Sequence, residues 1–149
     1  MTWQDLLSAQ KIRPHLTSSQ EIRDLRDVVD RDLTDSKIEA LSNDRRFATA
    51  YNAVLQLAKI VIACKGYRVT GAGHHQTTFQ ALEMALGSEG VPYAAYFEQC
   101  RRQRNHVDYD MANVATEAEA ILLIEKGEDF RRLVEAWIKK HHRAFAKSC

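Results

Sequence analysis

One short stretch concentrates the side chains that could do chemistry: Cys100-Arg101-Arg102-Gln103-Arg104-Asn105-His106-Val107-Asp108-Tyr109-Asp110. It holds three arginines, an asparagine, a histidine, two carboxylates and a tyrosine. On a helical wheel of about 100° per residue, Tyr93, Tyr96, Phe97, Cys100, Val107 and Met111 fall on one apolar side. Arg101, Asn105 and Asp108 share a neighbouring stripe. Arg104 lies between that stripe and the apolar side, while Arg102 and His106 point elsewhere. A guanidinium at the edge of a core face is costly unless paired or used. Two readings stand. Arg104 and Asp108, four apart, form a structural pair on an amphipathic helix; or the helix presents a polar site. Arginines beside a proton-transfer group suit phosphodiester chemistry on RNA. The guanidinium stabilises the extra negative charge of the transition state, and a histidine or similar group moves the proton. The same residues serve plain nucleotide or RNA binding, with Arg on phosphate and Tyr stacked on a base.

The elements that must position this stretch are helical. Ile22, Leu25, Val28, Val29 and Leu33 recur at helical spacing, with Ser18 as cap and Glu21 three residues on, as in a capping box. Phe47, Tyr51, Val54, Leu57, Ala58, Val61 and Ile62 mark a central helix capped by Ser42 and ended near Lys65-Gly66. A loop through Gly71 and Gly73 leads to His74-His75 at a helix start, followed by Phe79, Leu82, Ala85 and Leu86. Gly87 to Pro92 reads as a loop before the helix from Tyr93 to about Met111. Thr116 and Glu119 form a capping box for a last helix with an apolar stripe from Ala120 to Ile138 and a cationic end, Lys139 to Arg143. Residues 2–13 read as a further short helix stopped by Pro14. No strand pattern is evident. The expectation is an all-α, up-and-down bundle of four to six helices. It forms a single helical domain over 1–149, with 1–16 as an N-terminal extension and 42–145 as the core.

Composition narrows the function classes. With 149 residues, net charge +1 and 45% apolar residues, the chain supports one ordinary core and no global field towards nucleic acid or membrane. Anion binding must therefore come from a local patch such as 101–104. Cys64, Cys100 and Cys149 are odd in number and lack metal-ligand spacing, which predicts free thiols and a cytoplasmic location. The longest strictly apolar run, Ile60 to Cys64, is too short to span a bilayer, and the N-terminus has no secretory pattern, so no membrane association is expected. Gly71-Ala72-Gly73 lacks the setting of a phosphate loop. The adjacent His74-His75 pair, pointing about 100° apart on a helix, is a poor metal site, and neither a metal nor another cofactor is expected.

Tyr51 to Leu57 with its alanines, Gly66-Tyr67-Arg68, Gly73-His74-His75 with Phe79 and Leu82, and Arg101…Arg104-Asn105…Tyr109 together resemble the HEPN superfamily (higher eukaryotes and prokaryotes nucleotide-binding). The resemblance spans roughly residues 42–145. It implies a helical bundle, usually a homodimer, and for many members metal-independent ribonuclease activity in toxin–antitoxin, phage-defence or RNA-processing systems. Others are non-catalytic and accompany nucleotidyltransferases. The family's ribonuclease motif is an arginine, often followed by asparagine, with a histidine after four to six residues. Arg104-Asn105 matches its start, and the histidine position falls on Tyr109 or Asp110; Arg101 to His106 meets the spacing in another register. The resemblance thus implies Arg104, Asn105, Tyr109 and His106 as catalytic candidates. Arg101, Asp108, Arg68, His74 and His75 are the nucleotide- or RNA-binding candidates. The expected partners are RNA or nucleotide, a second copy of the chain, and an antitoxin or nucleotidyltransferase. A non-catalytic binding and dimerisation module is the alternative, and a purely structural bundle the third reading.

Overall fold

The computed structural model describes residues 1–71, 73–109 and 112–147, and of residues 106–109 the backbone only. In chain order the elements are α1 (Trp3–Ser8), β1 (Ile12–Pro14), α2 (Ser19–Ser36), α3 (Asn43–Cys64), β2 (Tyr67–Val69), α4 (His74–Leu86), α5 (Val91–Tyr109) and α6 (Glu117–His141). Single 3₁₀ turns cover Gly87–Glu89 and Arg143–Phe145. The chain is an all-α helical bundle, as its apolar periodicities predict.

Helix α3 is the axis of the bundle. Its alanines and apolar residues bury almost all round, from Phe47 to Ala63, and α2, α4, α5 and α6 pack on it. A helix apolar on every side belongs inside a fold. By length and composition α3 could also cross a membrane, but 67% of its most apolar stretch is buried inside the protein. The stripe predicted for α6 is the buried one, including Ala120, Leu123, Phe130, Val134 and Ile138. Gly127 lets α6 approach closely: a Cβ there would stand 3.3 Å from both Leu33 Cδ2 and Val54 Cγ1.

Three local expectations are corrected. Residues 9–13 are not helical. Gln10 adopts a left-handed backbone (φ 58°), and β1 pairs antiparallel with β2, Ile12 opposite Val69 and Pro14 opposite Tyr67. Three residues are too few for a period-2 pattern to show. This small ladder ties the N-terminal segment to the core, where Leu6 and Ile12 bury with Ile62 and Ala81, and Trp3 stacks on Tyr67 at 4.7 Å. At the start of α2, Ser18 accepts from the Glu21 amide, but the Glu21 side chain does not close the box. Its carboxylate takes bonds from Thr17 at 2.7 Å and His15 at 2.8 Å instead. Finally, α5 begins at Val91, two residues ahead of Tyr93, because a proline in the first turn gives up no intrahelical bond.

Candidate functional site

Helix α5 is pinned by its apolar side. Phe97 is fully buried, edge-on to Phe130 of α6 at 5.0 Å and tilted against Phe79 of α4 at 5.9 Å. Cys100, one turn on, is also buried, and burial pushes its thiol up to about 12, so it acts as a small apolar side chain. Tyr93 and Tyr96 are half-buried beside them. With that side fixed, Arg101 and Arg104 emerge on the flank towards α3 and α4, and Arg102 is exposed.

The Arg104 guanidinium lies over the ring of Tyr51 in α3, 5.7 Å from its centroid, a cation–π distance. The Tyr51 ring is buried, and its hydroxyl is 3.1 Å from Nδ1 of His75 in the first turn of α4. His75 is half-buried, with His74 edge-on at 4.5 Å. Burial lowers the His75 imidazole to about 4; the charges of His74, Arg104, Lys59 and Arg101 push the same way. Burial raises the Tyr51 phenol above its ordinary range, against the pull of Arg104 and Arg101. At neutral pH both groups are therefore uncharged, next to two guanidiniums. Arg101 is held by Glu98, which accepts from Nε at 2.5 Å and from Nη2 at 3.2 Å. That side-chain hydrogen bond raises the Arg101 guanidinium further.

Four of the sequence-predicted residues, Arg101, Arg104, His74 and His75, thus come together from two helices. Asn105 is half-buried on the same helix as the arginines. The side chains of His106, Asp108 and Tyr109 lie outside the described residues, and so does the expected Arg104–Asp108 pair. Arg68 lies elsewhere, in a cleft whose walls include Lys59 and His74 but neither Tyr51 nor His75. Among the described residues, no group of three or more His, Cys, Asp or Glu side chains stands close enough to hold a metal ion.

Sequence reasoning placed Tyr51 in the core and missed it as a site residue, because its spacing fits the apolar stripe of α3. Glu98 was also missed, although its position three residues before Arg101 is a usable signal for a helical ion pair. Chemically, the cluster offers two cations for a phosphate, a neutral imidazole as hydrogen-bond or proton acceptor, and a phenol as donor. An arriving phosphate would offset the positive field on His75 and raise its basicity. No protein-family model matches the chain, and neither does any curated protein or solved structure.

Proposed function

We propose that this chain is a nucleotide- or RNA-interacting protein of the HEPN kind. In this reading it is a diverged, metal-independent ribonuclease of a toxin–antitoxin, defence or RNA-processing system. One observation carries the reading: Arg101 and Arg104 of α5 flank the Tyr51–His75 pair, so two fixed cations border a neutral proton acceptor. In this reading Arg104 and Arg101 hold the scissile phosphate. Asn105 follows on the same helix, His106 and Tyr109 remain the catalytic candidates named from the sequence, and a second copy of the chain docks through 101–109.

A second reading is favoured by a specific quantity. A base of pKa about 4 is far from the value near 7 that suits general-base catalysis at neutral pH. The same cluster would then serve as a non-catalytic binding and dimerisation module, beside a nucleotidyltransferase or an antitoxin.

Cleavage and binding of a single-stranded RNA in EDTA separate the two. The ribonuclease reading expects cleavage by wild type, and its loss in both Arg104→Ala and His75→Ala while the far-UV CD spectrum is kept. Binding without cleavage, lost in Arg104→Ala, supports the module. If wild type neither binds nor cleaves, both readings are wrong.

A further inference from the structure

A cleft of about 420 Å³ opens on another side of α3, walled by α2, β2 with the turn that follows it, and the first residue of α4. Its titratable residues include Lys59, Arg68, His15, His74 and Glu21; Leu25, Ile62 and Val69 supply apolar wall. The volume falls in the range of small-ligand sites, about 300–1,000 Å³.

Charge in this cleft is out of balance. Among the described residues Glu21 is its only carboxylate, and one of its oxygens is already held by His15 and Thr17. Arg68 acts on Glu21 only through its field. Among the described residues, neither Lys59 nor Arg68 has a carboxylate oxygen within ion-pair distance, whereas Arg26, Arg31, Arg101, Arg131 and Arg132 all do. Lys59 is half-buried on the central helix, and burial together with Arg68 works against its charge. A half-buried ammonium kept near a second cation, with no described carboxylate in ion-pair reach of either, is costly for stability alone. An anion between the two would remove that cost, and His74 adds a further donor at the rim.

We propose that the cleft binds a phosphate monoester with a small apolar or aromatic body: Lys59 and Arg68 on the phosphate, Leu25, Ile62 and Val69 against the body. Two cations of different geometry fit a dianion better than a monocarboxylate. The group comes either from a free small molecule or from the 5′ end of a nucleic acid. The site shares no residue with the Tyr51–Arg104 cluster except the border position of His74, so it does not depend on the function proposed above.

Isothermal titration calorimetry on the full chain tests it, with phenyl phosphate, phenol and inorganic phosphate as probes, and with one RNA oligomer carrying a 5′-phosphate or a 5′-hydroxyl. Phenyl phosphate is expected to bind, inorganic phosphate to bind more weakly, and phenol not at all. Lys59→Met and Arg68→Met are each expected to weaken phenyl phosphate by about tenfold or more, the scale of one lost charge-assisted contact. Arg45→Ala, at an exposed arginine of α3 outside the cleft, is expected to leave it unchanged. Lys59→Met removes a half-buried charge, so its melting temperature should match or exceed wild type, which separates lost binding from lost folding. A 5′-phosphate-dependent gain for the oligomer assigns the ester to a nucleic-acid end; equal binding of both oligomers assigns it to a free small molecule. No heat with phenyl phosphate at millimolar concentration overturns the proposal, as does binding that survives both substitutions.

Discussion

The hydroxyl of Tyr51 stands 3.1 Å from Nδ1 of His75, and the guanidinium of Arg104 covers the same tyrosine's ring. One buried side chain thus joins the central helix to the start of α4 and to α5. With its proton on Nδ1, His75 donates to the phenol oxygen and keeps Nε2 as the acceptor; with its proton on Nε2, it accepts from the phenol at Nδ1 instead.

Removing that hydroxyl tests the link without moving the ring. Tyr51→Phe leaves the contacts with Phe79 and Arg104 in place and strips a half-buried Nδ1 of its partner. The expected loss is about 1–2 kcal/mol, the cost of leaving a half-buried ring nitrogen without its partner. Urea denaturation reads it as a lower midpoint at constant slope. An unchanged midpoint would show that the pair contributes nothing and that water satisfies His75 equally well.

The depressed imidazole makes stability depend on pH in a defined window. The unfolded chain binds a proton at His75 near 6.5, whereas the folded protein binds it only near 4. Between these values the unfolded state holds more protons, so stability is fully present above 6.5 and falls as the pH drops towards 4. His142, also lowered by burial, acts in the same direction. The carboxylates held low, Glu21, Glu119 and Glu128, add their own loss only below their ordinary value of 4.5. Thermal melts of wild type and His75→Gln between pH 7 and 4.5 should therefore converge as the pH falls. Parallel curves would mean that His75 titrates normally in the folded protein.

Much of this arrangement was legible in the sequence, and the rest was not, for physical reasons. Helices α2, α3, α4 and α6 announce themselves because each buries a long stripe at helical spacing and carries a capping residue or a glycine at a predictable place. Arg104 at the edge of the core followed from the wheel alone. The β1–β2 ladder did not, since its two strands of three residues lie far apart in sequence. The partnership of Tyr51 with His75 was equally hidden. A tyrosine at an apolar position looks like core, and only the packing of α4 on α3 shows what its hydroxyl meets. Asp44 illustrates the same limit. Its place in the first turn of α3 reads as a favourable charge at a helix start. In the fold it also accepts from the amides of Asn113 and Ala115 at 2.6 and 2.8 Å, fixing the chain that enters α6.

Glu98 offers a test of the α5 site that loss-of-function substitutions do not. Its carboxylate clamps Arg101 through two oxygens, both side chains being about one-fifth exposed. If Arg101 serves to bind phosphate, Glu98 competes with that phosphate. Glu98→Gln keeps the shape, removes the charge and releases the guanidinium. A partly exposed ion pair is worth about 0.2–1 kcal/mol, so single-stranded RNA should bind Glu98→Gln up to about fivefold more tightly than wild type. Arg101→Ala should bind more weakly and with a shallower salt dependence, by about 0.7 in the log–log slope for one lost phosphate contact. Fluorescence anisotropy over a series of salt concentrations measures both. Affinity that is indifferent to Glu98→Gln and Arg101→Ala alike would leave the Glu98–Arg101 pair a structural clamp on α5 and take Arg101 out of the RNA path.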